Sequence, residues 1–143
     1  MPLAWSYTID QLDWQELTDL YHAAPLGSKD PAGLRIAFGH SMFVCLVRED
    51  GKLVGAGRAV ADGVDVSYIA DVALLPTHQG QGLGRAIVIK LMEMSRGHKK
   101  IILYSVPGKE PFYKKLGFRR MSTAMAVFED QAAAAQRGLI DEP

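Results

Sequence analysis

The first half of the chain alternates between strand-like and helical patterns of apolar residues. Asp13 precedes a segment whose apolar side chains recur every three or four residues, and Asp30 opens a second such segment that ends near Gly39. Two apolar runs then flank Glu49-Asp50-Gly51-Lys52, a sequence typical of a tight turn. The pattern therefore predicts a strand, two helices and a β-hairpin, over residues 3–9, 13–23, 30–39, 42–48 and 53–61.

The second half predicts strands and helices in alternation. Pro76 closes an apolar strand, and the elements from that strand onward are predicted over residues 65–75, 84–96, 100–105, 109–116 and 118–128, with a short surface helix near 131–137. An antiparallel meander that continues into β-α-β units gives an α/β fold with a mixed central sheet flanked by helices. Neither a repeat nor a linker-like stretch interrupts the chain, so we predict one domain over residues 1–143.

Three glycines stand at alternate positions in the segment Gln79-Gly80-Gln81-Gly82-Leu83-Gly84-Arg85, between that strand and the next helix. Glycine accepts a positive φ and carries no Cβ, so successive N–H groups can turn inward as an anion nest beside the positive end of the helix. A phosphate or pyrophosphate suits this arrangement. The segment lacks the G-x-x-x-x-G-K-[ST] spacing of a nucleoside triphosphate loop, and Arg85 stands where a dinucleotide loop needs its third glycine or alanine.

Two motifs narrow the choice of ligand. Gln79, Gly82 and Gly84 fit the pattern Q/R-x-x-G-x-G/A, and Pro111-Phe-Tyr-Lys-Lys-Leu-Gly-Phe118 is similar to an F-Y-x-K-L-G-F segment. Over roughly residues 42–128 the chain resembles the GNAT superfamily of acyl-CoA N-acyltransferases. The resemblance implies a GNAT fold, a strand that splays from its neighbour before the glycine loop, acetyl-CoA as co-substrate, and a coenzyme-binding core over about residues 65–118.

The resemblance also assigns roles to individual residues. Main-chain groups of the splayed strand would pair with the pantetheine arm and the loop would hold the pyrophosphate, so the implied coenzyme contacts are Val72, Ala73, Leu74, Gln79, Gly80, Gln81, Gly82, Leu83, Gly84, Arg85, Ser105 and Phe112. Tyr113 is the implied general acid that protonates the departing thiolate, because a phenol with a pKa of about 10 keeps its proton at neutral pH. The alternative role for Tyr113 is packing alone.

Three polar residues near these motifs each allow two interpretations. Asp71 is the single charged residue of the apolar run over residues 68–75. It is either a catalytic group that takes a proton from, or attracts, the substrate ammonium, or an acceptor of hydrogen bonds that fix loops at the end of the sheet. Arg58 either anchors an acidic group of the substrate or lies exposed at the rim. His78 is either a solvated turn residue or a base.

The acceptor is predicted to be a primary amine, with a small molecule as the expected partner and Phe38, Phe43, Tyr68 and Tyr104 as candidates to line its pocket. The glycine loop and the strand before it are similar to glucosamine-6-phosphate N-acetyltransferases, but Tyr104-Ser105-Val106 stands where those enzymes carry an acidic D-x-D-like segment. This departure argues against that substrate and leaves arylalkylamines, polyamines and protein amines open. A coenzyme-binding sensor without turnover, and transfer of a different acyl group, are the alternative functions.

Composition limits the remaining partners. The 143 residues carry 16 basic and 16 acidic side chains, so no basic excess favours nucleic acid. No apolar run approaches the ~20 residues of a membrane span, and the first residues lack a signal-like pattern, so we expect a cytoplasmic protein with no membrane partner. The histidines and the single cysteine, Cys45, show no metal-ligand spacing, so no metal is expected, and Cys45 is predicted to be a buried thiol. The resemblance also allows a homodimer.

Overall fold

The structure, a computed structural model, describes residues 2–143, which divide into two compact units, one ending at Leu103 and one spanning Tyr104–Pro143. The first unit contains a five-stranded sheet with the strand order β1-β2-β3-β4-β5. A short 3-10 helix, Pro76–His78, follows β4. In chain order the strands and α-helices of this unit are β1 (Leu3–Ser6), α1 (Trp14–Ala23), α2 (Pro31–Gly39), β2 (Phe43–Glu49), β3 (Lys52–Ala61), β4 (Val66–Leu74), α3 (Leu83–Met94) and β5 (Lys100–Ile102).

The first two helices begin where the sequence predicts. The Asp13 carboxylate accepts hydrogen bonds from the N–H groups of Gln15 at 3.0 Å and Glu16 at 3.1 Å. The Asp30 carboxylate accepts one from the Gly33 N–H at 2.7 Å. Each aspartate satisfies backbone donors that a first helical turn leaves without a partner, and its negative charge suits the positive end of the helix dipole.

The sheet is mixed, because β1 to β4 are antiparallel neighbours and β5 is parallel to β4. The parallel ladder joins only Val66–Tyr68 to Lys100–Ile102, so residues 69–74 of β4 extend beyond the end of β5. The splaying of this strand from its neighbour, which the family resemblance implies, stays a prediction. The predicted α/β class with a mixed sheet flanked by helices is confirmed, and the single domain over residues 1–143 stays a prediction.

Two glycines allow α3 to pack closely on β3. A Cβ atom at Gly55 would lie 2.9 Å from Ile87 Cδ1, and one at Gly57 would lie 3.0 Å from both Ile87 Cγ2 and Leu91 Cδ1. These distances are too short for real Cβ atoms, so any larger residue would force the helix or its side chains to move. Because α3 begins at Leu83, the same packing fixes the N-terminus of α3 relative to the ends of β3 and β4.

Helices α1 and α2 cover the opposite face of the sheet. Ala56 lies between the two glycines in sequence and so points away from α3, into the core that α1 and α2 form. Tyr21 and Phe38 are the largest side chains of this core, with exposed fractions of 0 % and 1 %. The other members that the helices and strands contribute are Leu17, Leu20, Leu34, Val44, Leu46, Leu53 and Ala73.

The second unit holds two short helices, α4 (Glu110–Lys114) and α5 (Gln131–Gln136). The chain leaves α4 as the sequence predicts: Gly117 has a φ of +99°, and the Phe118 N–H donates to the Tyr113 carbonyl at 3.1 Å. This hydrogen bond satisfies a carbonyl that the helix end would otherwise leave open. At the start of α5, the Asp130 carboxylate accepts from the Ala133 N–H at 2.9 Å.

The prediction of a strand over residues 118–128 is wrong. No strand forms there, and every side chain over residues 119–127 is exposed. Met125 is 97 % exposed and Val127 is 91 % exposed. A strand needs a neighbouring backbone for its N–H and C=O groups, and an apolar sequence alone does not supply one. The strand predicted over residues 100–105 forms, but it ends earlier, at Ile102.

The thiol of Cys45 is expected to be unreactive in the folded protein. Cys45 is fully buried on β2, and burial raises the pKa of its thiol to about 12, so almost no reactive thiolate forms at pH 8. We expect a chromogenic disulfide reagent to label the native protein only as fast as the protein opens, and to label one thiol per chain at once in guanidinium chloride. Fast labelling under native conditions would contradict this prediction.

Candidate active site

The glycine loop turns from the 3-10 helix into α3 with two residues in the left-handed conformation. Gly80 has a φ of +77° and Gly82 a φ of +83°, which side chains with a Cβ rarely adopt. A Cβ at either position would meet no atom within 4 Å, so both glycines border open space. The conformation, rather than crowding, therefore requires glycine here, and it leaves the backbone accessible to a ligand.

The N-terminus of α3 has no capping side chain. Gly82 is its N-cap residue, and the first hydrogen bond of the helix runs from the Ala86 N–H to the Gly82 carbonyl at 3.1 Å. The N–H groups of Leu83, Gly84 and Arg85 are therefore not used inside the helix. Together with the positive end of the helix dipole, they form a place suited to a phosphate or pyrophosphate.

Side-chain amides tie this loop to the end of β4. Gln79 Nε2 donates to the Leu74 carbonyl at 3.3 Å, and Gln81 Nε2 donates to the Thr77 carbonyl at 3.2 Å. A Cβ at Gly84 would lie 3.5 Å from Leu74 Cδ1, so the first turn of α3 is in contact with the end of the strand. The structure thus brings together the predicted coenzyme contacts of the strand, Val72, Ala73 and Leu74, with those of the loop.

His78 belongs to the 3-10 helix that the sequence analysis missed. Its Nε2 lies 3.2 Å from Glu49 Oε1, and its side chain is 17 % exposed. The histidine therefore links the loop to the end of β2 and is not the solvated turn residue considered from the sequence. Its alternative role as a base stays a prediction. Pro76 was the available signal, since proline is favoured in the first turn of a helix.

A β-bulge interrupts the pairing of β4 with β3. Ala73 pairs with Ala56 and Ala70 with Arg58, so Asp71 and Val72 together face the single residue Gly57. Asp71 has a φ of +56°, in the left-handed region. A bulge of this kind changes the direction in which peptide groups point and leaves its extra residue outside the ladder.

Three residues from three different elements hold Asp71. Arg58 Nε donates to Asp71 Oδ2 at 2.8 Å, and Lys29 Nζ lies 3.2 Å from Asp71 Oδ1. The Tyr21 hydroxyl donates to the main-chain carbonyl of Asp71 at 2.6 Å. Arg58 also donates from its terminal nitrogen to Ser41 Oγ at 3.3 Å. The Asp71 carboxylate thus faces two cations, and the cluster carries a net positive charge.

These contacts favour the structural interpretation of Asp71, because a carboxylate between two cations does not attract an ammonium ion by charge. Its role as a catalytic group stays a prediction. Arg58 is held inside the cluster with a side chain 17 % exposed, so it is not an open rim residue. Sequence reasoning missed Tyr21 and Lys29, since nothing in a sequence marks a contact between residues 50 positions apart.

The residues predicted to line an acceptor pocket have different surroundings in the structure. Phe38 is in the core, with its ring centroid 6.3 Å from that of Trp14. Tyr68 is half-buried on β4 where that strand pairs with β5. Tyr104 belongs to the second unit and packs edge-on against Phe128, with centroids 6.0 Å apart. The fourth candidate, Phe43, packs edge-on against His98, with ring centroids 5.9 Å apart. The burial of Phe38 is explained by core packing, and the substrate contacts of all four residues stay predictions.

Tyr113 and Phe112 lie on α4 of the second unit. The Tyr113 ring contacts Phe112 and Phe118, with centroids 5.0 Å and 6.0 Å away and rings nearly perpendicular. Partial burial raises the pKa of the Tyr113 phenol, so the hydroxyl keeps its proton at neutral pH. A protonated, partly accessible phenol is able to act as an acid. Ser105, the other coenzyme contact implied in this unit, is half-buried.

Residues 2–143 contain neither a metal-binding cluster nor a membrane-spanning helix. No group of three or more His, Cys, Asp and Glu side chains is placed to hold a metal ion. No helix of this part of the chain has the length and apolar character needed to cross a membrane.

Comparison with known proteins identifies the family. The Acetyltransferase (GNAT) family matches residues 7–118. That span is more than half of the chain and contains α1 to α4, including the glycine loop and Tyr113. The chain therefore belongs to the GNAT family of acetyltransferases.

Relatives in the family carry several names. A glucosamine 6-phosphate N-acetyltransferase of Trypanosoma brucei brucei is 40 % identical over 77 residues, which are 48 % of this chain and 52 % of that protein. The chloroplastic serotonin N-acetyltransferase 2 of Oryza sativa subsp. japonica is 36 % identical over 115 residues, 75 % of this chain and 56 % of that protein. The chain spans about half the length of these curated relatives.

A solved structure has the same fold. A probable acetyltransferase from meticillin-resistant Staphylococcus aureus superposes with a TM-score of 0.80 at 21 % identity, and the superposition covers 89 % of this chain and 98 % of that one.

The hydroxyl of Tyr21 should make stability fall at high pH. Burial, followed by the charge of Asp71, raises the pKa of Tyr21 well above its usual value, so in the folded state Tyr21 keeps its proton when an unfolded tyrosine has lost it. The contribution of the Tyr21 hydroxyl to the free energy of unfolding is therefore complete below about pH 10. Above that pH it declines, by up to roughly 1.4 kcal/mol per pH unit. Urea unfolding of the wild type and of Tyr21→Phe between pH 8 and 11 measures this, with a steeper loss expected in the wild type. Parallel losses in the two proteins would contradict it.

Proposed function

We propose that the chain transfers the acetyl group of acetyl-CoA to a primary amine, directly and within a ternary complex. The observation that carries the proposal is the junction of β4 with α3, where an uncapped helix N-terminus, two left-handed glycines and the part of β4 beyond its pairing with β5 lie together. Membership of the GNAT family supports acetyl-CoA as the ligand of this junction. The pyrophosphate would lie on the N–H groups of residues 80–85, and the pantetheine arm along residues 72–74.

The reaction needs little covalent chemistry from the protein. Holding the thioester beside a neutral amine makes the attack effectively intramolecular. The amine nitrogen forms a bond to the acetyl carbon and loses a proton to solvent water. The carbon–sulfur bond breaks with its electron pair on sulfur, and the thiolate takes a proton from a protein acid. A main-chain N–H at the β4 bulge would polarise the thioester oxygen while charge develops on it.

Tyr113 is the proposed donor of the proton that the departing thiolate takes. Its phenol is protonated at neutral pH, since partial burial raises its pKa. Contacts with Phe112 and Phe118 hold its ring. An acid of this kind acts late in the reaction, when the negative charge forms on sulfur.

A small-molecule amine is the proposed acceptor. Among the relatives, one is named for glucosamine 6-phosphate and another for serotonin, both of which are small amines.

The test is an assay of thiol release from acetyl-CoA with an arylalkylamine, a polyamine, glucosamine 6-phosphate and a lysine peptide, repeated with propionyl-CoA. Because Cys45 is buried, it should not consume the thiol reagent. Release with any amine supports the proposal, and tight coenzyme binding without release would favour a sensor.

Gly82→Val should weaken binding of acetyl-CoA roughly tenfold or more, because a β-branched residue in the left-handed region costs on the order of 1–3 kcal/mol and would displace the loop. The matched control is Gly51→Val in the β2–β3 turn, where Gly51 has a φ of +78° and equally open surroundings. Calorimetry on the folded variants should show weaker binding for Gly82→Val alone. Equal affinity in the two variants would place the pyrophosphate elsewhere.

Tyr113→Phe keeps the ring and its contacts but removes the proposed acid. We expect kcat to fall by roughly 10²–10⁴, the usual range for a positioned general acid, with little change in the KM values or in coenzyme affinity. Tyr7→Phe is the control, since Tyr7 is a partly exposed tyrosine just after β1. Steady-state kinetics at several pH values measure the effect, and a wild-type kcat in Tyr113→Phe would rule out the acid role.

A further inference from the structure

The backbone of Asp71 is unusual for a residue inside a strand. Among residues 2–143, the non-glycine residues with a positive φ are Gln11, Asp50 and Asp71. Gln11 lies in the turn before α1 and Asp50 in the β2–β3 turn, whereas Asp71 lies within β4. Residues with a Cβ persist in this conformation only where their surroundings hold them, and such residues concentrate at functional sites.

Tyr21 is the contact that holds the main chain of this residue. Arg58 and Lys29 bind only the side-chain carboxylate, whereas the Tyr21 hydroxyl donates to the Asp71 carbonyl at 2.6 Å. Tyr21 is fully buried on α1, and its ring lies between the Lys29 ammonium, 5.4 Å from the ring centroid, and the Phe38 ring at 6.4 Å. The donor therefore has a fixed place on a helix packed into the core.

The direction of this carbonyl determines the direction of the next N–H group. In a trans peptide the C=O and N–H bonds point to opposite sides, so with the Asp71 carbonyl turned to Tyr21 the Val72 N–H points away from α1. We propose that Tyr21 is a positioning residue for acetyl transfer, which holds the Asp71–Val72 peptide so that the Val72 N–H meets the thioester oxygen of acetyl-CoA. This inference rests on the proposed function.

The test is Tyr21→Phe, which removes one oxygen and keeps the ring in the core. The Val72 N–H would lose its fixed orientation, and small misplacements at a reacting centre reduce rates by up to about 10²-fold. Since Arg58 and Lys29 still hold the carboxylate, we expect a partial effect, a fall in kcat of roughly tenfold. The KM values for acetyl-CoA and for the amine should stay within about twofold of the wild type, since only a transition-state contact is weakened.

Ser67→Ala is the matched control. Ser67 lies on the same strand and is also fully buried, and its hydroxyl makes a 2.7 Å contact with Ser95 Oγ. We expect loss of the Ser67 hydroxyl to lower the melting temperature, as we expect of the Tyr21 hydroxyl. At temperatures well below that melting point, kcat of Ser67→Ala should be unchanged. If both variants lose stability and both keep the wild-type kcat, Tyr21 is only structural and the inference is overturned.

A measurement on the wild-type protein covers the case in which Tyr21→Phe does not fold. The proton resonance of the Val72 amide should move downfield with acetyl-CoA relative to coenzyme A, because only the acetylated form offers the thioester oxygen. An unchanged Val72 resonance would overturn the inference.

The same assays separate this inference from the proposed function. Wild-type turnover together with an unchanged kcat in folded Tyr21→Phe overturns the role of Tyr21 alone. No turnover by the wild type with any amine overturns the proposed function, and the role of Tyr21 in transfer with it.

Discussion

The close approach of α3 to β3 is the constraint on which the site depends. Gly55 and Gly57 leave room on β3 for the side chains of Ile87 and Leu91 of α3. The helix is thereby fixed relative to the strands. The loop must then connect Leu74 to Leu83 across a set distance, and it does so through glycines with positive φ.

Most of the chain follows the local conformational preferences of its residues, and the junction of β4 with α3 departs from them. Helices α1, α2 and α5 begin with aspartates whose carboxylates accept backbone hydrogen bonds. The short helix α4 and the long helix α3 have no capping side chain, and α3 begins after a glycine in the left-handed conformation. The strand that leads to it contains a left-handed aspartate and a bulge. Departures from local preference that concentrate in one place are expected at a functional site, where a ligand or the reaction provides the reason for them.

Most of the fold was predictable because it follows from local pattern. The helix starts at Asp13 and Asp30, the hairpin turn and the glycine loop all depend on residues close together in the chain. The strand expected over residues 118–128 does not form, because strand pairing depends on a neighbouring strand that the segment itself cannot specify. The contact from Tyr21 to Asp71 was beyond prediction for a similar reason, since it joins a helix to a strand across 50 positions and no motif records it.

The strained conformation of Asp71 opposes selection for stability to selection for catalytic rate. A left-handed residue inside a strand lowers the free energy of unfolding, so many ways of making the protein more heat-resistant would begin by relaxing this backbone. If the bulge directs an N–H group at the thioester, the relaxed protein would fold better and turn over more slowly. β4 is then the part of the chain where thermostability and catalytic rate are traded against each other, and a chain evolved for warmer conditions would need to gain its stability elsewhere.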